Sequence, residues 1–451
     1  MALKADLWHR LVPALSLPLL SADSLPLGLQ MGFVGEDARL FAIAAAVHNF
    51  LGPARERAGG AWRISDREEP AFCLALNRAN VASGAVKVVA ISVGGVDALR
   101  VAHPLPIPSP DEDAARIDQQ IKQVCFAEKL GFSDVWLTEH YFTGESVYND
   151  ALLFASAVAM RTERIRIGFA VVQLPFHHPV RLAVQLALLD NLSRGRIDVG
   201  VGKGTIYNEY EFVGHGLRSD DSRERMEEAI EILERLWNGG SVTYSGKYFQ
   251  VHVPELRPRP VQRPRLPLWR SVISPASFNE CGRLGLPILT ARLPVTRIRE
   301  RWAAYEAGLD AGGHDATTRA WLLAQNALWR NVYVAGSDSQ AEDELAALLL
   351  QTRARMMRVR AAYNPPDFTI DPAMLNPWAD PAASDAEAIK YVLATGSLFG
   401  SPARVLEQVA ELRDVGVRHL LCQTGFGDMS HEQNLASMWR FGEEVMPAFR
   451  R

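Results

Sequence analysis

The run Asp134-Val135-Trp136-Leu137-Thr138, closed by Glu139-His140-Tyr141-Phe142, decides how this chain is read. It is a short apolar strand that stops at polar and aromatic residues. The pattern returns in Ile165-Arg166-Ile167-Gly168-Phe169-Ala170-Val171-Val172, which ends at Leu174-Pro175-Phe176-His177-His178-Pro179. It returns again in Arg196-Ile197-Asp198-Val199-Gly200-Val201-Gly202, which ends at Lys203-Gly204. A helical pattern follows each run. Strand then helix, with chemistry-bearing residues at the strand C-termini, is the rhythm of an α/β fold of the TIM-type (β/α)8 barrel, and it puts any ligand at the mouth those ends form.

Working outward, βα units can be laid along the rest of the chain. The first helix covers residues 112–130, with Ile117, Ile121, Val124, Cys125 and Leu130 on one face. Strands are expected at 134–138, 165–172, 197–201, 268–273, 287–290, 331–334 and 419–423, and helices at 150–161, 179–192, 222–237 and from Pro275 onward. Residues 207–221 read as a long loop. Tyr244-Ser245-Gly246-Lys247-Tyr248 reads as a hairpin in an insertion, 242–267, whose later prolines rule out helix. Residues 351–398 carry Pro365, Pro366, Pro372, Pro377 and Pro381 and read as loop plus irregular helix over the mouth, a candidate lid. The domain plan is therefore a barrel over 98–451, an unassigned linker region over 51–97, and an N-terminal piece, 1–50, with an extended apolar segment and an Ala-rich helix at 38–50.

Composition sets limits on partners. A chain of 451 residues, 48% apolar, suits a large barrel plus an appendage. A net charge of -4 gives no electrostatic reason to expect nucleic acid or an anionic membrane, and no run reaches the ~18 apolar residues of a membrane span. Cys73, Cys125, Cys281 and Cys422 lack zinc spacing and read as reduced thiols of a cytoplasmic protein. Lys4, His9 and Arg10 ahead of apolar residues 11–20 imitate a signal peptide, but Asp6, Pro13 and Pro18 speak against one.

Three constellations carry chemistry. Ser274-Pro275-Ala276-Ser277 opens a helix after a strand, so it is either a phosphate cradle or an ordinary Ser N-cap. In Gly200-Val201-Gly202-Lys203-Gly204 the glycines admit a flat ring or a phosphate close to the backbone, and Lys203 adds a point charge. The run is neither a Walker loop nor a GxGxxG fingerprint. His140, at a strand end beside Glu139, is either a general acid–base or a hydrogen-bonded structural histidine. His177 and His178 are adjacent, so their side chains diverge, and no metal site is expected. Asn208, Glu209 and Tyr210 read as loop structure. There is no Gly-x-Ser-x-Gly elbow, and His431-Glu432-Gln433 is not a zinc HExxH.

Taken together these residues resemble a known family. From 113 to 450 the chain is similar to the bacterial luciferase-like flavin-dependent monooxygenases. The matching pieces are Ala127-Glu128-Lys129-Leu130-Gly131-Phe132, Thr138-Glu139-His140-Tyr141-Phe142, Leu174-Pro175-Phe176-His177-His178-Pro179-Val180-Arg181, Leu189-Asp190-Asn191-Leu192-Ser193-Arg194-Gly195-Arg196, Gly200-Val201-Gly202-Lys203-Gly204, Tyr207-Asn208-Glu209-Tyr210 and His431-Glu432-Gln433.

The resemblance implies a barrel that takes reduced FMN from a separate flavin reductase and uses it with O2 to oxidise a small apolar organic substrate, as a homodimer. It implies that Ser274 and Ser277 hold the FMN phosphate, with Lys203 where luciferases have an arginine, and that Gly202 stands where true luciferase has its reactive cysteine. A non-proline cis peptide is implied at Phe169–Ala170 beside the flavin ring, and His140 is the implied catalytic histidine. Tyr141 replaces the second histidine common in luciferases, so light emission is not expected. A deazaflavin-dependent hydride-transfer enzyme and a flavin-binding barrel without turnover are the rival expectations. In this family the first barrel strand opens the protein; here it is expected within 86–104.

Residues 1–50 resemble a different family, the C-terminal end of amidase-signature hydrolases, through Pro13-Ala14-Leu15-Ser16-Leu17-Pro18, Leu25-Pro26-Leu27-Gly28-Leu29-Gln30 and Gly35-Glu36-Asp37-Ala38-Arg39-Leu40. No nucleophile-bearing Gly/Ser stretch accompanies them, which implies a fragment without amidase chemistry.

Overall fold

The computed structural model describes Ala14–Pro18, Gly28–Gly32, Lys87–Ser92 and residues 110–449. The chain divides into two units, Met1–Glu69 and Pro70–Arg451. In the first, β1 (Ala14–Pro18) pairs antiparallel with β2 (Gly28–Gly32), Ala14 opposite Gly32. The helix expected at 38–50 lies outside the described residues.

The second unit is built on a parallel sheet. Its strands are β3 (Lys87–Ser92), β4 (Asp134–Leu137), β5 (Arg166–Gln173), β6 (Ile197–Gly202), β9 (Leu268–Ser271), β10 (Ile288–Ala291), β11 (Ala327–Val334), β12 (Ser397–Gly400) and β13 (His419–Gln423). Each neighbour along β3-β4-β5-β6-β9-β10-β11-β13 is hydrogen-bonded, and β13 returns to β3, so the sheet closes into the expected barrel. β12 pairs only with the distal half of β11. Strands β4 and β6 are buried along their whole length, as a sheet wrapped by helices requires. The insertion forms the expected hairpin, β7 (Val242–Ser245) with β8 (Gln250–Val253).

Around the sheet lie α1 (Asp113–Leu130), α2 (Ala151–Arg161), α3 (Pro179–Ser193), α4 (Glu209–Gly214), α5 (Ser222–Asn238) and α6 (Pro275–Leu284). The C-terminal half adds α7 (Val295–Ala311), α8 (Ala316–Gln325), α9 (Asp338–Tyr363), α10 (Asp385–Gly396), α11 (Pro402–Asp414) and α12 (His431–Arg440). Their starts follow local chemistry. Asp150 accepts from Leu153 N at the head of α2, and Pro179, Pro275 and Pro402 occupy first turns where a missing N–H costs nothing.

The barrel interior is filled by Trp136, Trp269, Leu289, Ala327 and Leu421, with the two indoles edge-on at 5.4 Å. At the N-terminal strand ends, Arg166 is forked onto Asp198 at 2.5 and 2.8 Å and lies 4.0 Å from Asp134. That end is plugged by charge pairs, which leaves the opposite end for a ligand.

Four expectations are corrected. Strand β3 lies inside 86–104 as expected, but upstream of the boundary at 98, so the barrel takes in residues assigned to the linker. Within 207–221 the chain forms α4, because Tyr210, Glu211 and Phe212 turn inward and are buried. Residues 351–398 are mostly helix. The prolines sit only between 365 and 381 and break α9 there, while a capping box of Ser384 and Glu387 restarts the chain as α10. The non-proline cis bond is Ala170–Val171, one bond beyond Phe169–Ala170. That is where the β5–β6 register shifts, between Phe169 and Val172.

Candidate functional site

At the end of β4 the chain turns through Thr138, whose N–H donates to Tyr148 Oη at 3.1 Å, and drives Glu139 inward. Glu139 is 2% exposed. Its Oε1 accepts from Tyr141 Oη at 2.5 Å and lies 2.7 Å from His177 Nε2; its Oε2 accepts from Gln173 N at 2.5 Å. Burial would lower the His177 imidazole, but Glu139 outweighs it and raises His177 above its ordinary value. His178 points elsewhere, edge-on to Phe249 at 5.8 Å, so the two histidines diverge as expected. Among the described residues no group of three His, Cys, Asp or Glu is arranged to hold a metal.

His140 belongs to a second carboxylate. Its Nδ1 lies 3.1 Å from Glu211 Oε1, which also accepts from Tyr141 N at 3.2 Å, and its Nε2 lies 3.8 Å from Glu145. The Glu211 side chain is fully buried, whereas His140 keeps a quarter of its side chain exposed. Burial alone would lower His140, but Glu145 and Glu211 overcome it and raise the imidazole to about 9. Burial would likewise raise Glu211, and His140 holds it below the usual carboxylate range. The charged form of the imidazole is favoured at neutral pH. Two carboxylates against one imidazole are the reason.

Glu211 was not among the expected site residues, though a signal was present. Asn208 and Glu211 stand one helical turn apart, and Asn208 Nδ2 donates to Glu211 Oε1 at 3.4 Å. A short helix at 208–211 would have put both on one inward face.

The other half of the mouth lies across β5. Strand β6 pairs with β9, Val201 opposite Arg270, so Lys203 after β6 and Ser274 after β9 stand at adjacent strand ends. Ser274 caps α6: its Oγ accepts from Ser277 N at 3.3 Å and lies 2.8 Å from Ser277 Oγ, while Arg301 Nε holds the Ile273 carbonyl at 3.2 Å. The expected N-cap is thus present, and the Ser274 hydroxyl remains exposed. Burial and then nearby Arg223 lower Lys203, and Arg223 is itself paired with Glu280 at 3.6 Å. Gly202 and Gly200 serve close approach. A Cβ at Gly202 would come within 2.7 Å of Val171 Cγ2, and one at Gly200 within 2.1 Å of the Phe169 carbonyl oxygen. Phe169 is fully buried, and Ala170 packs on the interior aromatic cluster. A hydroxyl pair at a helix N-terminus, one strand over from Lys203, fits the phosphate of FMN by donor chemistry.

A separate cleft of about 640 Å³ between α9, α10 and α11 is lined by Arg330, Lys390 and Arg404, with Glu342, Asp343 and Glu411, and by none of the mouth residues above.

The sequence profile described as luciferase-like monooxygenase matches residues 100–419, and the chain belongs to that family. Limonene 1,2-monooxygenase of Rhodococcus erythropolis is 32% identical over 53% of this chain; the match spans only 61% of the relative's own length. The oxygenase component of the flavin-dependent trigonelline monooxygenase of Acinetobacter baylyi is 24% identical over 74% of this chain and 89% of its own. An F420-dependent glucose-6-phosphate dehydrogenase of Microbacterium testaceum is 27% identical over 72% of this chain and 91% of its own. Among solved structures, a monooxygenase of Streptomyces bottropensis superposes with a TM-score of 0.62 at 25% identity, covering 79% of this chain and 99% of that one.

Proposed function

We propose that the chain is a flavin-dependent monooxygenase of the cytoplasm, using reduced FMN and O2 to oxidise a small organic substrate with an apolar body. The observation that carries this reading is His140, held 3.1 Å from the buried Glu211 carboxylate at the same mouth as the Ser274–Ser277 helix start and Lys203. Ser274, Ser277 and Lys203 would hold the phosphate of FMN, with Phe169, Ala170 and Gly202 under its ring. When bound, reduced FMN supplies the electrons that activate O2. His140 would supply the proton that the reduced oxygen needs to leave as water, with Glu211 stabilising its imidazolium beforehand. Closure by the Pro-bearing segment between α9 and α10 would keep water out.

A separate flavin reductase is the expected partner, since the trigonelline relative is named as an oxygenase component. A homodimer fits the exposed Leu153 and Met160 on α2 beside Leu188 and Leu192 on α3. Residues 1–50 are proposed as an appended segment without amidase chemistry. Among the described residues no helix is long and apolar enough to cross a membrane.

The test is purified protein supplied with FMN, NADH, a generic flavin reductase and a substrate panel. Product gaining one oxygen atom, with O2 consumed, supports the reading. The F420-dependent relative motivates a second reading, hydride transfer without O2. The mass of the cofactor that co-purifies separates the two.

A further inference from the structure

Two arginines at the mouth have no acid of their own. Arg292 directly follows β10 and stands over the Trp329 ring, 5.4 Å from its centroid. Arg360, in the last turn of α9, stands over Tyr207 at 5.0 Å. Both are half-buried. Arg360 Nε donates to Asn208 Oδ1 at 2.9 Å, and Asn208 in turn donates to Glu211, so this arginine is one residue removed from the His140 pair. Arg360 Nη1 and Arg292 Nε are buried without a hydrogen-bond partner. Arg292 makes no hydrogen bond or ion pair with a described residue.

Burial lowers both guanidiniums. Glu145 is the carboxylate that acts on both, and it also faces His140. Glu145 thus faces three cations, His140, Arg292 and Arg360, and of these only His140 is paired with a second carboxylate, Glu211. Buried N–H groups and charge left unanswered are costly, so a site that keeps them is built for something that answers them.

We propose that Arg292 and Arg360 receive an anionic group of the substrate, a carboxylate carried on a small ring or other apolar body. The proposal rests on the monooxygenase reading and narrows it: the substrate is an organic acid rather than a wholly apolar molecule. Two guanidinium forks match the two oxygens of a carboxylate. The Trp329 and Tyr207 rings supply flat apolar faces beside them. The same chemistry would suit the phosphate of FMN, and the test separates these sources.

The full-length protein, loaded with oxidised FMN, is titrated calorimetrically with 2-naphthoate and with methyl 2-naphthoate. The acid should bind about 10- to 100-fold tighter than the ester, the range expected for charge-assisted hydrogen bonds. Arg292→Gln and Arg360→Gln should each remove most of that preference while the ester's affinity and the melting temperature stay put. Arg292→Lys, which keeps the charge but not the fork, should retain part of it. Acid and ester binding alike in the parent, or an unchanged preference in both Gln variants, overturns the proposal. So does a Gln variant that weakens FMN but not riboflavin, because the pair would then hold the cofactor phosphate. The readout needs no turnover. A protein that prefers the acid yet forms no product gaining one oxygen atom with reduced FMN and O2 refutes the monooxygenase reading alone; turnover without acid preference refutes only this inference.

Discussion

Glu211 Oε1 lies 3.1 Å from His140 Nδ1, although the two residues are 71 positions apart in the chain. One comes from the end of β4 and the other from α4, so neither segment alone makes the pair.

Replacing Glu211 by Gln keeps an oxygen for the Tyr141 N–H but removes the charge. The His140 imidazole should then drop from about 9 by roughly one unit or more, the usual effect of losing a close opposite charge. Imidazole titration by NMR is the direct check. An unmoved value would mean that Glu145 alone sets it.

Stability should fall on the alkaline side. His140 titrates at about 9 in the folded chain, against about 6.5 when unfolded, so its contribution is complete below about 6.5 and is lost as pH rises toward 9. His177, also raised, acts in the same direction. The denaturant midpoint, followed from pH 6.5 to about 9.5, should decline less in His140→Gln than in the parent.

His140→Ala should leave FMN affinity within about threefold, since the phosphate contacts are assigned elsewhere. Oxygenation should drop by roughly 10²–10⁴, the range for a lost general acid. Reduced flavin should then be spent on hydrogen peroxide. Product formed per NADH is the quantity to measure, and an undiminished yield would make His140 structural.

The double variant Ser274→Ala, Ser277→Ala should weaken FMN by about 1.5–3 kcal/mol for each charge-assisted bond lost, and riboflavin hardly at all. Because Ser274 also caps α6, melting temperature must be followed alongside. Equal losses for both ligands would remove the phosphate assignment.

Deleting Met1–Glu69 should leave flavin binding and the melting temperature nearly intact. Extending the deletion through Ser92 removes β3 from between β13 and β4 and should abolish folding. Loss of folding with the shorter deletion would show that the first unit supplies barrel contacts.

The barrel was legible because its strands are buried on both faces and read as unbroken apolar runs; β13 falls at the expected residues 419–423. The placement of His140, Lys203 and Ser274 at strand ends was legible because they follow such runs directly. Glu211, Arg292 and Arg360 were not. Glu211 sits on a six-residue helix too short to show periodicity. Arg360 ends a long helix whose continuation looked like proline-rich loop. Arg292 follows a four-residue strand with no motif around it. Their meaning comes from which loops meet, and that is a property of closure rather than of any local run.

Gln173 shows how tightly those loops are tied. Its backbone N–H donates to Glu139 Oε2 and its side-chain amide to the Glu139 carbonyl, both at 2.5 Å, and the same amide reaches Glu211 Oε2 at 3.5 Å. The segments 139–145, 173–177 and 208–211 are therefore tied into a single hydrogen-bonded unit. Replacing any one of Glu139, Gln173 or Glu211 by a residue without the matching group would strand a donor or a carboxylate in the other two. Substrate range in this scaffold should be re-engineered by exchanging the three together, or by leaving them untouched and varying the arginine side of the mouth.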